Sequence, residues 1–173
     1  MTDSWSQSGQ DLWALKRSGG NFTFLDIGCT EPFTSNNTYA LELAGWKGLA
    51  IDFENLFIST WNQYRKCPAI CANALDVDWS AILLLHDLPF EIGYLSLDLY
   101  GEELQVLRNL TAAGISFQCA TIEHDNRSES RMTIREFMLS QGYKLAVSDV
   151  LSPACVINRK LVEGMPFEDW WTK

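Results

Sequence analysis

The chain has 173 residues, with 13 Lys and Arg against 22 Asp and Glu, a net charge of −9, and 47% hydrophobic residues. That length and apolar content suffice for one domain with its own core, and they exclude a disordered, collagen-like, coiled-coil or disulfide-dense chain. The acid excess argues against a partner bound by its phosphate backbone, which needs a cationic face; only Arg127, Arg131 and Arg135 stand together at helical spacing.

The longest apolar run, Ala81–Leu85, falls far short of the roughly 20 residues that span a bilayer, and Met1–Ser8 has no apolar signal core. No membrane association is therefore expected. The cysteines are odd in number, and only Cys67 and Cys71 lie close together. This suits a reduced, cytoplasmic chain. A zinc site on Cys67 and Cys71 would need a second pair, which does not follow.

In chain order, Asp11 opens a helix with Leu12, Trp13 and Leu15 on its apolar side. Asn21–Ile27 is β-prone and ends in Asp-Ile-Gly. Asn37–Ala44 has helical spacing and stops at Gly45. Lys47–Asp52 is a second strand, Leu56–Tyr64 a helix, and Pro68–Cys71 a short third strand. Trp79–Leu85 reads as helix, limited by Pro89. Ile92–Leu97 is the fourth strand, followed by Asp98. Glu102–Ala113 is a helix closed by Gly114, and Ser116–Ile122 a fifth strand before Glu123. Ser128–Ser140 is a helix ended by Gly142. Tyr143–Ser148 and Cys155–Asn158 are read as two closing strands, joined as a hairpin across Asp149–Ala154. The segment Phe167–Lys173 is read as a tail whose Trp170 and Trp171 pack back on the domain.

Strands alternating with helices define an α/β layer fold with a mostly parallel sheet and right-handed crossovers. Acids that follow its strands lie at the carboxyl edge, where such folds bind ligands. Leu25-Asp26-Ile27-Gly28-Cys29 is the sharpest such feature, because a glycine lets backbone approach a ligand closely. Asp52 ends the next strand, 26 residues after Asp26, near the spacing at which an acid takes ribose hydroxyls. No G-x-G-x-x-G and no G-x-x-x-x-G-K-[ST] occurs. An acid in the first turn repels a pyrophosphate but suits a cofactor with an amino-acid end. S-adenosylmethionine offers an α-ammonium to Asp26 and a ribose to Asp52.

Ser6-Gln7-Ser8-Gly9-Gln10-Asp11, Phe24–Cys29, Ser35-Asn36-Asn37-Thr38-Tyr39, Leu41-Glu42, Gly45–Asp52, Tyr94–Glu103, Thr121–Asp125 with Arg131, and Gln141-Gly142-Tyr143 occur in this order. Together they resemble the FkbM methyltransferase family from about residue 6 to 143. The resemblance implies a Rossmann-like class I methyltransferase: three layers, α/β/α, with a mostly parallel seven-stranded sheet whose last strand is antiparallel. It implies S-adenosylmethionine as donor and a hydroxyl as acceptor. It implies cofactor contacts from Gln10, Asp26, Gly28, Cys29, Asn37, Asp52, Ala74 and Asp98. Two positions depart from the family pattern. Glu31-Pro32 stands where an acid and glycine are common, and Tyr100 stands where a glutamate is common.

Asp98, Glu123 and His124 are the candidate catalytic groups, with His124 the natural base because its unperturbed pKa is near 6.5. The same three residues could instead hold Mg²⁺ or Mn²⁺, but solvated or hydrogen-bonded acids are the simpler reading, and no metal is expected. The expected organisation is one domain over 1–173, with a lid segment at 1–20, a core at 21–160 and a tail at 161–173. The expected partners are a small-molecule or glycan acceptor, without nucleic acid, and a second copy if an oligomer completes the acceptor pocket. The competing reading is a methyltransferase-fold domain that binds without turnover.

Overall fold

The structure, a computed structural model, describes residues 3–17, 19–157 and 160–173. Its elements are α1 (Gln10–Arg17), β1 (Thr23–Ile27), α2 (Tyr39–Leu43), β2 (Lys47–Asp52), α3 (Asn55–Tyr64), β3 (Ala69–Cys71), α4 (Trp79–Leu85), β4 (Glu91–Leu97), α5 (Glu103–Ala112), β5 (Ser116–Glu123), α6 (Ser128–Ser140), β6 (Lys144–Leu151), β7 (Cys155–Ile157), β8 (Lys160–Val162) and β9 (Pro166–Thr172). Seven strands form one sheet in the order β3-β2-β1-β4-β5-β9-β6. β9 runs antiparallel to both of its neighbours, and the other six strands are parallel.

Successive side chains of a strand point to opposite faces, so the register assigns each residue to a layer. Phe24, Ala50, Tyr94 and Cys119 point to one face, where Ala14 of α1, Leu41 of α2 and Trp61 of α3 cover them. Leu25, Leu49, Leu95, Ala120 and Trp171 point to the other, against Leu83 of α4, Leu107 of α5 and Met138 of α6. With both faces covered, the central strands are apolar almost throughout, as a parallel sheet requires. The strand order reverses between β1 and β4, which opens a crevice at their carboxyl ends.

Two expectations at the end of the chain are corrected. Phe167–Lys173 is no tail: most of it is β9, which pairs Ala120 with Trp171 and Glu123 with Glu168. Cys155–Ile157 does not join the main sheet but pairs with β8 in a separate two-stranded ribbon, and Asn158 lies outside the described residues. Two buried acids in PFEDWWT hide the strand from a periodicity reading, because Glu168 and Asp169 lie on opposite faces and both are buried. Among the described residues no helix is long and apolar enough to cross a membrane.

Candidate active site

The turn after β1 is built around close backbone approach. The Gly28 and Cys29 N–H groups both donate to Ile51 O, at 2.8 and 3.3 Å, and Asp98 N–H donates to Ile27 O at 3.0 Å. A Cβ on Gly28 would lie 1.8 Å from Asp98 O, and Gly28 has φ +81. Only glycine fits there. Thr30, Ser35 and Tyr100, all around the same crevice, also have positive φ. Backbone held in this sparsely populated region concentrates at functional sites.

Two chambers meet at this turn. One, of about 250 Å³, is mainly apolar and lies beyond β2 and β3, lined by Ile51, Asp52, Phe53, Phe57, Ala74 and Leu99 among others. The other, of about 190 Å³, is polar and is lined by Asp26, Cys29, Asn37, Ser96, Glu123 and Glu168 among others. Gly28, Thr30, Asp98 and Tyr100 line both. In the apolar chamber the Asp52 carboxylate is held by backbone: Oδ2 accepts from Thr30 N–H at 3.0 Å and Oδ1 from Glu54 N–H at 2.8 Å. One lone pair on each oxygen is left for a ligand hydroxyl.

The polar chamber follows from strand alternation. Asp26 pairs in register with Ser96, and Glu123 with Glu168, and all four face the α1–α3 side. Among the described residues four carboxyl groups line the chamber, and no Lys, Arg or His does. Burial pushes Asp26 up to about 6, against the opposing Thr38 hydrogen bond and Arg65 charge. Burial pushes Glu168 up to about 8, although Trp170 Nε1 donates to it. Asp98 and Glu123 are raised together, first by burial. Glu123 rises further because two carboxylates so close cannot both ionise, so the pair shares a proton. Asp98 Oδ1 is buried and has no hydrogen-bond partner among the described residues.

These raised values set the pH response of the ligand-free protein. The folded chain holds protons on Asp26 and Glu168 that the unfolded chain, with ordinary carboxyls, releases near pH 4. Stability therefore falls as pH rises from about 4 through 8. The expected loss between pH 5.5 and 8.5 is on the order of a few kcal/mol, read as a lower melting temperature at the higher pH. Glu168→Gln, which keeps an acceptor for Trp170, should remove the Glu168 share of that slope and leave the share of Asp26 and of the proton held between Asp98 and Glu123. A wild-type protein equally stable at both values would refute this.

The structure brings Asp26, Gly28, Cys29, Asn37, Asp98 and Glu123 to the polar chamber, and Asp52, Ala74, Gly28 and Asp98 to the apolar one. It does not bring His124 or Gln10 to either. His124 follows Glu123 and so points to the opposite face. Its Nδ1 accepts from Asn126 N–H at 3.2 Å, and its Nε2 lies 3.7 Å from Asp169 Oδ1. This withdraws the expectation of His124 as base. Gln10 is fully buried in α1, with Oε1 accepting from Ser8 N–H, and Gln7 lines the chamber in its place. Thr38, Ser96 and Glu168 escaped the sequence reading, because hydroxyls and tail acids give no spacing signal.

Among the described residues, one group has the proximity for a metal ion: His124, Asp149 and Asp169. Its charge is already compensated. Arg135 binds Asp169 through Nε and Nη2, at 2.7 and 2.8 Å, and Arg131 binds Asp149 at 2.8 Å. Burial opposes the Asp169 charge, but Arg135 holds its carboxyl well below the usual range. The apparent basic patch is thus spent on internal acids, and Arg127 donates to Tyr100 O.

No protein-family model matches the chain, and no curated protein matches it by sequence. Solved structures do. Magnesium protoporphyrin IX methyltransferase from Synechocystis, with bound S-adenosylmethionine, superposes with a TM-score of 0.61 at 12% identity, over 96% of this chain and 79% of that one. Precorrin 8w decarboxylase from Methanobacterium thermoautotrophicum gives 0.63 at 18% identity, over 99% and 92%. A TehB-like S-adenosylmethionine-dependent methyltransferase from Corynebacterium glutamicum gives 0.59 at 13%, over 95% and 87%. The chain has the Rossmann-like fold of class I methyltransferases.

Proposed function

We propose that this chain is an S-adenosylmethionine-dependent methyltransferase of the cytoplasm, close in kind to the FkbM enzymes, which methylates a hydroxyl of a sugar or small molecule. The observation that carries this is the pair of chambers meeting at Gly28, one apolar with an acid at the end of β2, the other acidic. The residues fit the cofactor. The apolar chamber suits an adenine, with Ala74 and Phe53 on its walls and Asp52 free to accept from ribose hydroxyls. The acidic chamber suits an ammonium and a sulfonium, and Gly28, without a Cβ, lets the turn pack against the Asp98 carbonyl where the two chambers meet. S-adenosylmethionine supplies a methyl group on a positively charged sulfur.

The chain's own residues then have separate tasks. Asp26, Cys29, Asn37 and Ser96 surround the amino-acid end. Asp98 stands where the chambers meet, with Oδ1 free to accept the acceptor's hydroxyl proton. Its shared proton with Glu123 keeps one negative charge there and not two. The absence of a basic side chain from the lining among the described residues favours neutral or cationic acceptors over phosphorylated ones. The use of Arg131 and Arg135 inside the fold supports the same preference over nucleic acid.

The test is calorimetric and thermal titration with S-adenosylhomocysteine. Micromolar binding and a melting temperature that rises with ligand are expected. Asp52→Ala should weaken the affinity by at least about 100-fold, since two charge-assisted hydrogen bonds of about 1.5–3 kcal/mol each are lost. No shift at millimolar ligand would refute the proposal.

A further inference from the structure

Arg65 closes α3 and, among the described residues, is the one Arg or Lys that is buried. A buried charge needs partners on every side. Half of this guanidinium is balanced: Nε donates to Glu42 Oε2 at 2.9 Å, and the plane lies 4.0 Å from the Trp61 ring centre. The other half has no acid of its own. Nη1 donates to Pro32 O at 2.7 Å and Asn36 Oδ1 at 3.2 Å, and Nη2 to Thr38 Oγ1 at 3.4 Å. Thr38 Oγ1 accepts from Arg65 and gives its own hydrogen to Asp26 Oδ2, 2.6 Å away, in preference to Asn36 Oδ1, which is farther, at 3.2 Å, and already accepts from two backbone N–H groups and Arg65. Pro32 serves this arrangement: the site needs its carbonyl and makes no use of an N–H at that position.

We propose that Arg65 is a positioning residue which, acting through Thr38, fixes the Asp26 carboxylate and keeps it anionic for an ammonium-bearing ligand. The inference rests on the proposed cofactor only for the identity of that ammonium. The groups that face Asp26 are few. Arg65 is the cation, Asp98 is the nearest opposing acid, and Glu123 and Glu168, both raised by burial, line the same chamber. The Cys29 and Cys67 thiols and the Tyr94 phenol are raised by burial and stay neutral. Glu42 lies beyond the guanidinium and tempers its charge.

The experiment follows the Asp26 carboxyl by ¹³C NMR from pH 4 to 9 in the cofactor-free protein, for wild type, Thr38→Val, Thr38→Ser and Arg65→Lys. Thr38→Val should raise the Asp26 midpoint by about one pH unit, Thr38→Ser should restore it, and Arg65→Lys should raise it by less. S-adenosylhomocysteine affinity at pH 6.5 should fall several-fold in Thr38→Val and recover at pH 8.5. A midpoint unchanged in Thr38→Val and Arg65→Lys, with only melting temperature lowered, would overturn the proposal and leave a structural ion pair. If wild type fails to bind S-adenosylhomocysteine, the proposed function fails, and the Asp26 titration still decides the relay.

Discussion

A chain ending at Met165 is expected not to fold. The cut removes β9, which fills the slot between β5 and β6, and with it Phe167, Glu168, Asp169, Trp170 and Trp171, all buried. Each edge left behind has a row of unpaired N–H and C=O groups inside the protein. Arg135 and His124 lose Asp169, and Asp149 N–H loses its acceptor at 2.9 Å. Truncating one fully buried Trp costs about 3–5 kcal/mol, against a whole-domain stability of about 5–15 kcal/mol. The check is a one-dimensional proton spectrum and a urea titration: collapsed dispersion and no cooperative transition are expected. Native-like dispersion in the truncated chain would show that the strand is dispensable. Trp171→Ala should lower the stability of the full chain by about 3–5 kcal/mol.

Gly28→Ala is expected to lose S-adenosylhomocysteine affinity at least 100-fold and more than about 3 kcal/mol of stability. The added carbon would meet Asp98 O at 1.8 Å and Asp98 C at 2.9 Å, both of them backbone atoms. Relief requires β1 and β4 to part at their carboxyl ends, which breaks the Asp98 N–H to Ile27 O bond and displaces Asp98 from the junction of the chambers. Gly45→Ala is the control. Gly45 has a similar φ, +88, but nothing lies within 4 Å of an added carbon. It should cost only about 1 kcal/mol and leave ligand affinity unchanged. Equal effects from the two substitutions would mean that backbone conformation, and not close approach, explains Gly28.

The central strands were legible because β1, β2, β4 and β5 are buried on both faces and carry few polar interruptions before their last residues. Asp26, Asp52 and Asp98 were legible for the same reason: an acid at the end of an apolar run has one place to go in such a fold. β9 was not, because its two buried acids interrupt the apolar pattern and are matched only in three dimensions, by Arg135 of α6 on one face and by Trp170 Nε1, two residues along the strand, on the other. His124 is named for the pKa of an imidazole, which says nothing of the face its ring occupies. The period of a strand puts neighbours on opposite sides, and that rule alone would have separated it from Glu123. Arg65 carried no signal, since an arginine at a helix end is ordinarily solvated. Only the packing of Trp61, Tyr39 and the loop around Pro32 shows it buried.

The position of β9 also constrains how the protein is made. Both of its flanking strands leave the ribosome first, so the nascent chain cannot zip its sheet in order of synthesis. A slit one strand wide must persist between them until residues 166–172 have cleared the exit tunnel. During that interval the slit is open to a strand from another chain, and the yield of correctly closed protein should depend on how quickly translation delivers the missing piece.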